Sequence, residues 1–357
     1  MRCTSNAVRG AIAACLLLPS CATAENADDS ATSGSVIVSA PAPDDGTGAA
    51  VATATTGVVA VDAVFAEPTF EVQVTEDVVY GQGLTHDDWS GTNPQMRNLT
   101  LDVYQPLRDD ATAMPVVVMI HGGGFRSGSS KHGALSAMAE RFAARGWVAF
   151  SINYRLIDDF GSLPADYPRP PGRNNLDQFN ALYPACRDAK AAIRWIKANA
   201  DRYGVAPTAV TAIGGSAGSF IAVALGVSGE GDCLAEIDEA VDPTLAATNL
   251  DQTAEVHTVI NHWGGTAIVD MLELLDGSSR FGPDDAPLST VHGTDDRTVD
   301  YTNAERLRDA YAETGVAFVL HRLDGAGHGA WQSTVDGDDL WRLAFDVITE
   351  QQALVVE

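Results

Sequence analysis

Basic residues are scarce in this sequence, and lysine is the scarcest of them. The 357 residues include 22 Lys and Arg against 48 Asp and Glu, so the formal net charge at pH 7 is −26. Only three residues are lysines. Binding to nucleic acid depends on Lys and Arg that neutralise phosphates, and attachment to anionic lipid depends on a polybasic segment. The composition therefore argues against both classes of function.

Long hydrophobic runs are also absent. A membrane-spanning helix needs about 20 apolar residues, whereas the apolar stretch near the N-terminus, at residues 11–18, has only eight. It follows Arg2 and Arg9 and precedes an A-T-A pattern at residues 22–24, an order of regions that is typical of an export signal. We therefore expect a signal peptide over residues 1–24, no transmembrane segment, and a protein that is secreted or periplasmic.

Two other interpretations of this N-terminal region stay open. The apolar run would also fit a buried helix. The tetrapeptide L-P-S-C at residues 18–21 resembles a bacterial lipobox, in which Cys21 would carry a lipid anchor. Pro19 departs from this pattern, because a small or β-branched residue is usual at that position.

Cysteine is rare as well, with five residues in the chain. Cys3, Cys15 and Cys21 lie within the predicted signal peptide, which leaves Cys186 and Cys233. Two cysteines in an exported chain suggest one disulfide, but two separate buried thiols would fit the sequence equally well. The sequence contains no Cys-x-x-Cys motif and no cluster of His and Cys, so we expect no metal site.

The chain divides into a linker and a folded domain. Residues 25–66 contain no Lys or Arg and are rich in Ala, Thr, Ser and Val, which predicts a flexible, weakly acidic linker. Over residues 67–357, apolar runs of β type alternate with helical patterns. This alternation predicts an α/β fold, with a mostly parallel eight-stranded sheet and helices on both faces. The strands are predicted at residues 70–75, 99–104, 116–120, 148–153, 209–213, 256–262, 288–292 and 317–322, and the helices at residues 134–144, 187–200, 217–227, 302–314 and 338–350.

A serine lies between one of these strands and the following helix. The motif G-G-S-A-G at residues 214–218 directly follows the strand at 209–213. The G-x-S-x-G pattern is weak alone, but its place between a strand and a helix is that of a nucleophile elbow, a tight turn that exposes the serine. The context predicts Ser216 as a nucleophile.

A glycine-rich segment follows the strand at residues 116–120. It reads H-G-G-G-F at residues 121–125, hereafter the glycine loop. Glycines allow several backbone N–H groups to face one point, as the stabilisation of a tetrahedral oxyanion requires. We expect the N–H groups of Gly123, Gly124 and Ala217 to form this oxyanion hole, with His121 bracing the loop.

An acid and a base are predicted after the last two strands. The motif H-G-T-D-D at residues 292–296 offers two carboxylates that could orient an imidazole. The spacing H-G-x-x-D favours Asp296, with Asp295 as the alternative. His328 follows the last strand in G-A-G-H-G and is predicted as the general base. The other histidines are interpreted as structural or surface residues, with His262 also a candidate for the pocket lining.

The chain order Ser216, Asp296, His328 completes a resemblance. With the H-G-G-G and G-x-S-A-G motifs, residues 70–350 resemble the bacterial carboxylesterase and lipase group of the α/β-hydrolase superfamily, related to the hormone-sensitive-lipase-like esterases. The resemblance implies a secreted serine hydrolase of short to medium acyl or aryl esters, acting through an acyl-enzyme without cofactor or metal. Two alternatives remain: an amidase or peptidase on the same fold, and a non-catalytic binding protein.

The surroundings of the site are less specific. Residues 155–184 form a long segment rich in Pro and aromatic residues, which predicts either a cap loop over the pocket or a stiff surface excursion. We expect Phe125, Trp263 and Tyr183 to contact the small-molecule ester. Residues 228–255, hereafter the acidic segment, contain eight acidic residues and no basic one. A solvated surface is favoured there over a calcium site. The sequence does not indicate an oligomeric state.

Overall fold

The structure is a computed structural model that describes residues 35–38, 60–169, 175–245 and 248–357, the first range by its backbone alone. The predicted signal peptide at residues 1–24, the lipobox cysteine Cys21 and most of the predicted linker at 25–66 lie outside the described residues.

A nine-stranded sheet forms the centre of the described chain. Its strand order is β1-β9-β8-β7-β6-β4-β5-β3-β2. The six strands from β5 to β9 in this order are mutually parallel, whereas β1, β3 and β2 pair antiparallel with their neighbours. The strands are β1 (Ser35–Val38), β2 (Val72–Thr85), β3 (Gln95–Pro106), β4 (Met114–Ile120), β5 (Val148–Ile152), β6 (Val205–Gly215), β7 (Thr258–His262), β8 (Leu288–Gly293) and β9 (Phe318–Leu323).

The predicted α/β fold is confirmed, and all eight predicted strands are present as β2 to β9. The central strands are continuous apolar runs because both of their faces are covered: every residue of β4, β5 and β7 is buried. The antiparallel strand β2 is largely exposed along its first half. The additional strand β1 lies within the segment predicted as a linker, and Val64 also forms a β-bridge with Val356. The division of the chain into linker and domain stays a prediction.

Seven helices and a small hairpin complete the described elements. The helices are α1 (Gly133–Ala143), α2 (Leu176–Ala198), α3 (Ala200–Tyr203), α4 (Ala217–Val227), α5 (Ala267–Asp276), α6 (Thr302–Thr314) and α7 (Leu340–Gln351), and the hairpin pairs β10 (Thr334–Val335) with β11 (Asp338–Asp339). All five predicted helices are present. The sequence patterns predicted neither α5 nor the short α3.

The start of α2 differs most from the prediction. It begins at Leu176 rather than at residue 187, because Pro184 lies inside the helix and does not end it. The last nine residues of the predicted 155–184 loop are therefore helical. In the first part of that loop, a single 3₁₀ turn at Ile157–Asp159 is followed by irregular chain. Its role as a cap stays a prediction.

The acidic segment covers one side of α2. Four basic residues of α2 are buried, with spacings of three, four and three residues that place them on one helical face: Arg187, Lys190, Arg194 and Lys197. The ammonium of Lys197 donates to Thr253 Oγ1 over 2.9 Å, that of Lys190 donates to the carbonyl of Gly229, and Asp242 is fully buried. Five of the eight acidic residues of this segment are exposed, as expected of a solvated surface, whereas Asp242 is buried beside α2, where its backbone carbonyl accepts from Arg187.

A disulfide fixes this arrangement. Cys186 on α2 is bonded to Cys233 in the acidic segment, with the two Cα atoms 6.0 Å apart and a sequence separation of 47. The bond closes a long loop, and loop closure removes conformational entropy from the unfolded chain.

Removing the disulfide is expected to lower the free energy of unfolding by about 2–4 kcal/mol, the range that is typical of protein disulfides. The measurement is urea unfolding of the wild type, with and without reductant, beside the double variant Cys186→Ala, Cys233→Ala. Reductant should destabilise the wild type and leave the double variant unchanged. Equal midpoints for the oxidised wild type and the double variant would show that the bond contributes nothing.

Candidate active site

Ser216 lies in a strained turn between β6 and α4. Its φ is +53° and its ψ is −118°, a conformation that non-glycine residues rarely adopt. The close approach of the turn to β4 explains the glycine at position 218, since a Cβ there would lie 2.0 Å from the carbonyl oxygen of Ile120. The backbone N–H of Ser216 donates to the carbonyl of His262 over 2.9 Å. The turn thus holds the serine at the carboxyl end of the sheet.

The structure brings the three residues of the predicted triad into one line. Ser216 Oγ lies 2.8 Å from His328 Nε2, and His328 Nδ1 lies 2.7 Å from Asp296 Oδ2. Because a carboxylate only accepts hydrogen bonds, Nδ1 carries the ring proton and donates to Asp296. Nε2 is then free to accept the hydroxyl proton of Ser216. The side chain of His328 is 22% exposed whereas that of Asp296 is buried, so the imidazole, and not the carboxylate, is accessible from the exterior.

Asp296, rather than its neighbour Asp295, is the carboxylate that contacts His328. Asp295 is exposed, while Asp296 Oδ1 accepts the backbone N–H groups of Thr298 and Val299 at 2.8 and 2.9 Å. Burial by itself raises the pKa of the Asp296 carboxyl, but the imidazoles of His292 and His328 and the N–H of Val299 outweigh it and hold this pKa well below the ordinary value. Asp296 is therefore ionised at neutral pH.

The glycine loop lies beside the serine. A Cβ on Gly122 would lie 3.2 Å from the Cβ of Ser216. Gly123 has a φ of +104°, and a Cβ at this position would lie 2.1 Å from the carbonyl oxygen of Ser127, so only glycine fits there. Within the described chain, the N–H groups of Gly123, Gly124 and Ala217 donate to no protein acceptor. These three donors are available to a ligand, and their role in an oxyanion hole stays a prediction.

His121 braces the glycine loop, as expected. Its Nδ1 lies 2.8 Å from the carbonyl oxygen of Gly122, its ring stacks on Tyr154 at a centroid distance of 4.3 Å, and the hydroxyl of Tyr154 donates to the His121 carbonyl. Burial lowers the pKa of His121 to about 4. This histidine is therefore neutral and structural.

The three predicted substrate contacts lie in different surroundings. The ring of Trp263 is 6.3 Å from that of His328, centroid to centroid. Phe125, at the end of the glycine loop, is buried against Tyr154. Tyr183 is buried in α2, and its hydroxyl donates to Glu236 over 2.9 Å. In the described part of the chain, no hydrogen bond or ring contact joins Tyr183 to the triad, so its predicted contact with the substrate has no structural support.

Two residues near the site were not predicted. The ring of Trp331 lies against Gly215, where a Cβ would be 2.7 Å from the ring, and packs edge-on against Trp263 at 4.7 Å. The amide of Gln178 donates to the carbonyl of Gly124 over 3.0 Å and so connects the first turns of α2 to the glycine loop. Neither residue belongs to a motif. Only the position of Trp331, three residues after His328, could have indicated it.

His262 does not line a pocket. It is fully buried behind the elbow, and its Nδ1 lies 3.0 Å from the carbonyl oxygen of Gly214. Burial lowers the pKa of His262 to about 4, so this neutral ring supports the turn.

Neither a metal cluster nor a membrane span is found among the residues that the structure describes. No group of three or more His, Cys, Asp or Glu is placed to hold a metal ion. The described helices include none that is both long and apolar enough to cross a bilayer.

The strand order, the elbow and the chain order of Ser216, Asp296 and His328 are those of an α/β-hydrolase fold. Residues 88–234 match the model of the Carboxylesterase family. This segment includes the glycine loop and Ser216 and ends before Asp296 and His328.

Curated relatives match less than half of the chain. The juvenile hormone esterase of Heliothis virescens is 31% identical over 159 residues, which are 44% of this chain and 23% of that protein. Carboxylesterase 3B of Mus musculus is 35% identical over 131 residues, which are 36% of this chain and 20% of that protein. The matched segment thus spans less than a quarter of either relative.

Solved structures resemble a larger part of the chain. Esterase 2 of the planctomycete Thermogutta terrifontis, in its butyrate-bound form, has a TM-score of 0.55 and 22% identity, covering 80% of this chain and 96% of that one. A truncated carbohydrate esterase from gut microbiota has a TM-score of 0.51 and 20% identity, covering 81% and 99%. These likenesses establish the fold.

Proposed function

We propose that this protein is a secreted serine hydrolase of carboxylic esters that forms an acyl-enzyme on Ser216. The observation that carries the proposal is the continuous hydrogen-bonded line from Ser216 through His328 to Asp296, with contacts of 2.8 and 2.7 Å. The match to the Carboxylesterase family supports the choice of ester over other acyl compounds. Export rests on the pattern of residues 1–24.

In the first half of the reaction, Ser216 Oγ attacks the ester carbonyl while His328 Nε2 takes its proton. The C–O bond to the alcohol then breaks, and His328 returns the proton to the leaving alkoxide. In the second half, a water attacks the acyl-enzyme carbonyl while His328 Nε2 takes one of its protons. The bond between the acyl carbon and Ser216 Oγ then breaks, His328 returns the proton to Oγ, and the acyl group leaves as the carboxylic acid that carries the hydroxyl of the water. Asp296 keeps the proton on Nδ1 and stabilises the imidazolium throughout.

The tetrahedral intermediates place a negative charge beside the glycine loop. The N–H groups of Gly123, Gly124 and Ala217 would bind this oxyanion, and one such donor is worth roughly 10²–10³ in kcat. The loop is held for this task by His121 on one side and by the amide of Gln178 on the other.

Short to medium acyl or aryl esters are the proposed substrates. The rings of Trp331 and Trp263 pack against each other beside the elbow and the ring of His328. This aromatic surface suits a compact apolar acyl or aryl group of the substrate. The glycine loop and the G-G-S-A-G motif favour a relationship to the hormone-sensitive-lipase-like esterases. The complete triad disfavours a non-catalytic binding protein.

The test is a p-nitrophenyl ester series from acetate to palmitate, with a p-nitroanilide of the best acyl group beside it. We expect the highest kcat/KM at short acyl chains and at least about 100-fold slower turnover of the anilide, because its amine is the poorer leaving group and needs protonation. Covalent labelling of Ser216 by a phosphonate, detected by mass, reports the nucleophile independently of turnover. Absence of both labelling and turnover would refute the proposal, and preferred turnover of the anilide would assign an amidase.

A further inference from the structure

A second histidine lies against the triad acid. His292 is at the carboxyl end of β8, four residues before Asp296, and its side chain is fully buried. Its Nε2 lies 2.8 Å from the carbonyl oxygen of Val299 and 3.5 Å from Asp296 Oδ2. The ring packs edge-on against Tyr301, with centroids 5.8 Å apart. The proposed mechanism assigns no proton transfer to this imidazole.

The contacts of His292 determine which nitrogen carries the proton. A backbone carbonyl only accepts hydrogen bonds, so Nε2 must be protonated to bind Val299. The same N–H lies near the Asp296 carboxylate. The other nitrogen, Nδ1, is buried and has no hydrogen-bond partner within the described chain. The polar contacts of the ring are therefore made by Nε2 alone, and both go to the turn at residues 296–299.

These contacts close a triangle around the acid. His292 donates to the carbonyl of Val299, and the N–H of Val299 donates to Asp296 Oδ1 over 2.9 Å. The N–H of Thr298 occupies the same carboxylate oxygen at 2.8 Å. While His292 holds Val299, both N–H donors stay on Oδ1, and Oδ2 is left to His328. Without the hydrogen bond from His292 to Val299, we expect the turn at residues 296–299 to move away from β8 and the Asp296 carboxylate to rotate.

We propose that His292 is a positioning residue for the triad: it ties Val299 to the end of β8 and thereby fixes the Asp296 carboxylate that orients His328. Its effect on turnover rests on the proposed ester hydrolysis. Its effect on the contact between His328 and Asp296 does not, since that contact exists without substrate.

Two variants of nearly equal volume separate the hydrogen bond from packing. His292→Leu removes the donor, and His292→Gln keeps an amide N–H at about the reach of Nε2. Removing one hydrogen bond of ordinary strength predicts about a tenfold lower kcat for His292→Leu with little change in KM, and recovery of most of that loss in His292→Gln. The control is His257→Leu. His257 also bonds to the backbone, but it directly precedes β7 and so lies at the amino end of that strand, away from the triad. It should hydrolyse the ester like the wild type.

A second readout is the downfield proton NMR signal of His328 Nδ1–H, assigned by its absence in Asp296→Asn. We expect His292→Leu to broaden this signal through faster exchange with water, and His292→Gln to preserve it. If His292→Leu does not fold, His292→Asn replaces it, because the shorter amide does not reach Val299.

The outcomes are distinguishable. A donor-less variant with wild-type kcat and an unchanged signal would overturn the proposal, as would a folded His292→Gln that is as slow as His292→Leu. If the wild type shows the signal but hydrolyses no ester, the proposed function fails, and the response of the signal still decides the role of His292.

Discussion

Ser216→Ala is expected to lower kcat on the best p-nitrophenyl ester by about 10⁶-fold, with KM changed much less. Loss of a nucleophile from such a triad has an effect of this size, because the remaining groups act on no covalent intermediate. The substitution removes only the hydroxyl that lies 2.8 Å from His328 Nε2. The measurement is steady-state turnover at high enzyme concentration, with phosphonate labelling followed by mass.

Ser228→Ala is the matched control for this loss. Ser228 caps the other end of α4, and its hydroxyl is buried without a hydrogen-bond partner among the described residues. Alanine in its place should leave both kcat and stability unchanged. Equal activity of Ser216→Ala and Ser228→Ala, at levels near the wild type, would remove Ser216 from the mechanism and with it the proposed acyl-enzyme.

The fold could be predicted from the sequence because its main signals are local. The continuous apolar run of β4 indicates a strand covered on both faces, and the structure buries all of it. Helix α2 shows where local signals fail. Pro184 and the aromatic residues before it suggested a loop, but packing against the acidic segment and the sheet extends the helix through the proline. Tertiary contacts override such local preferences.

The candidate site divides in the same way. Ser216 and His328 could be predicted because glycines mark their turns, and these turns meet at one edge of a mostly parallel sheet. Trp331 and Gln178 could not, since each contributes through one spatial contact and no motif. The pairing of Cys186 with Cys233 stayed open because spacing does not determine whether two cysteines meet in space.

The second large effect is expected on kcat when Asp296, rather than the adjacent Asp295, loses its carboxylate. Asp296→Asn is expected to lower kcat by about 10⁴-fold, although an amide has almost the same shape as the carboxylate. An amide N–H₂ facing His328 would favour the tautomer that is protonated on Nε2, and this nitrogen could then no longer accept the proton of Ser216. The protein should remain folded, because the amide oxygen can still accept from Thr298 and Val299.

Asp295→Asn provides the control, since it makes the same chemical change one residue earlier, at an exposed position. Its kcat should stay within about twofold of the wild type, as for surface substitutions in general.

The pH dependence of stability adds a further check. In the wild type the pKa of Asp296 is held well below its ordinary value by hydrogen bonds to the charged form. The stability that these bonds contribute is present above the unfolded-state pKa of about 3.9 and is lost as the pH falls through the lower folded-state pKa. Asp296→Asn, which has no charge to lose, should therefore show a smaller fall in stability between neutral and strongly acid pH than either the wild type or Asp295→Asn. A larger loss of kcat in Asp295→Asn than in Asp296→Asn would reverse the assignment of the acid.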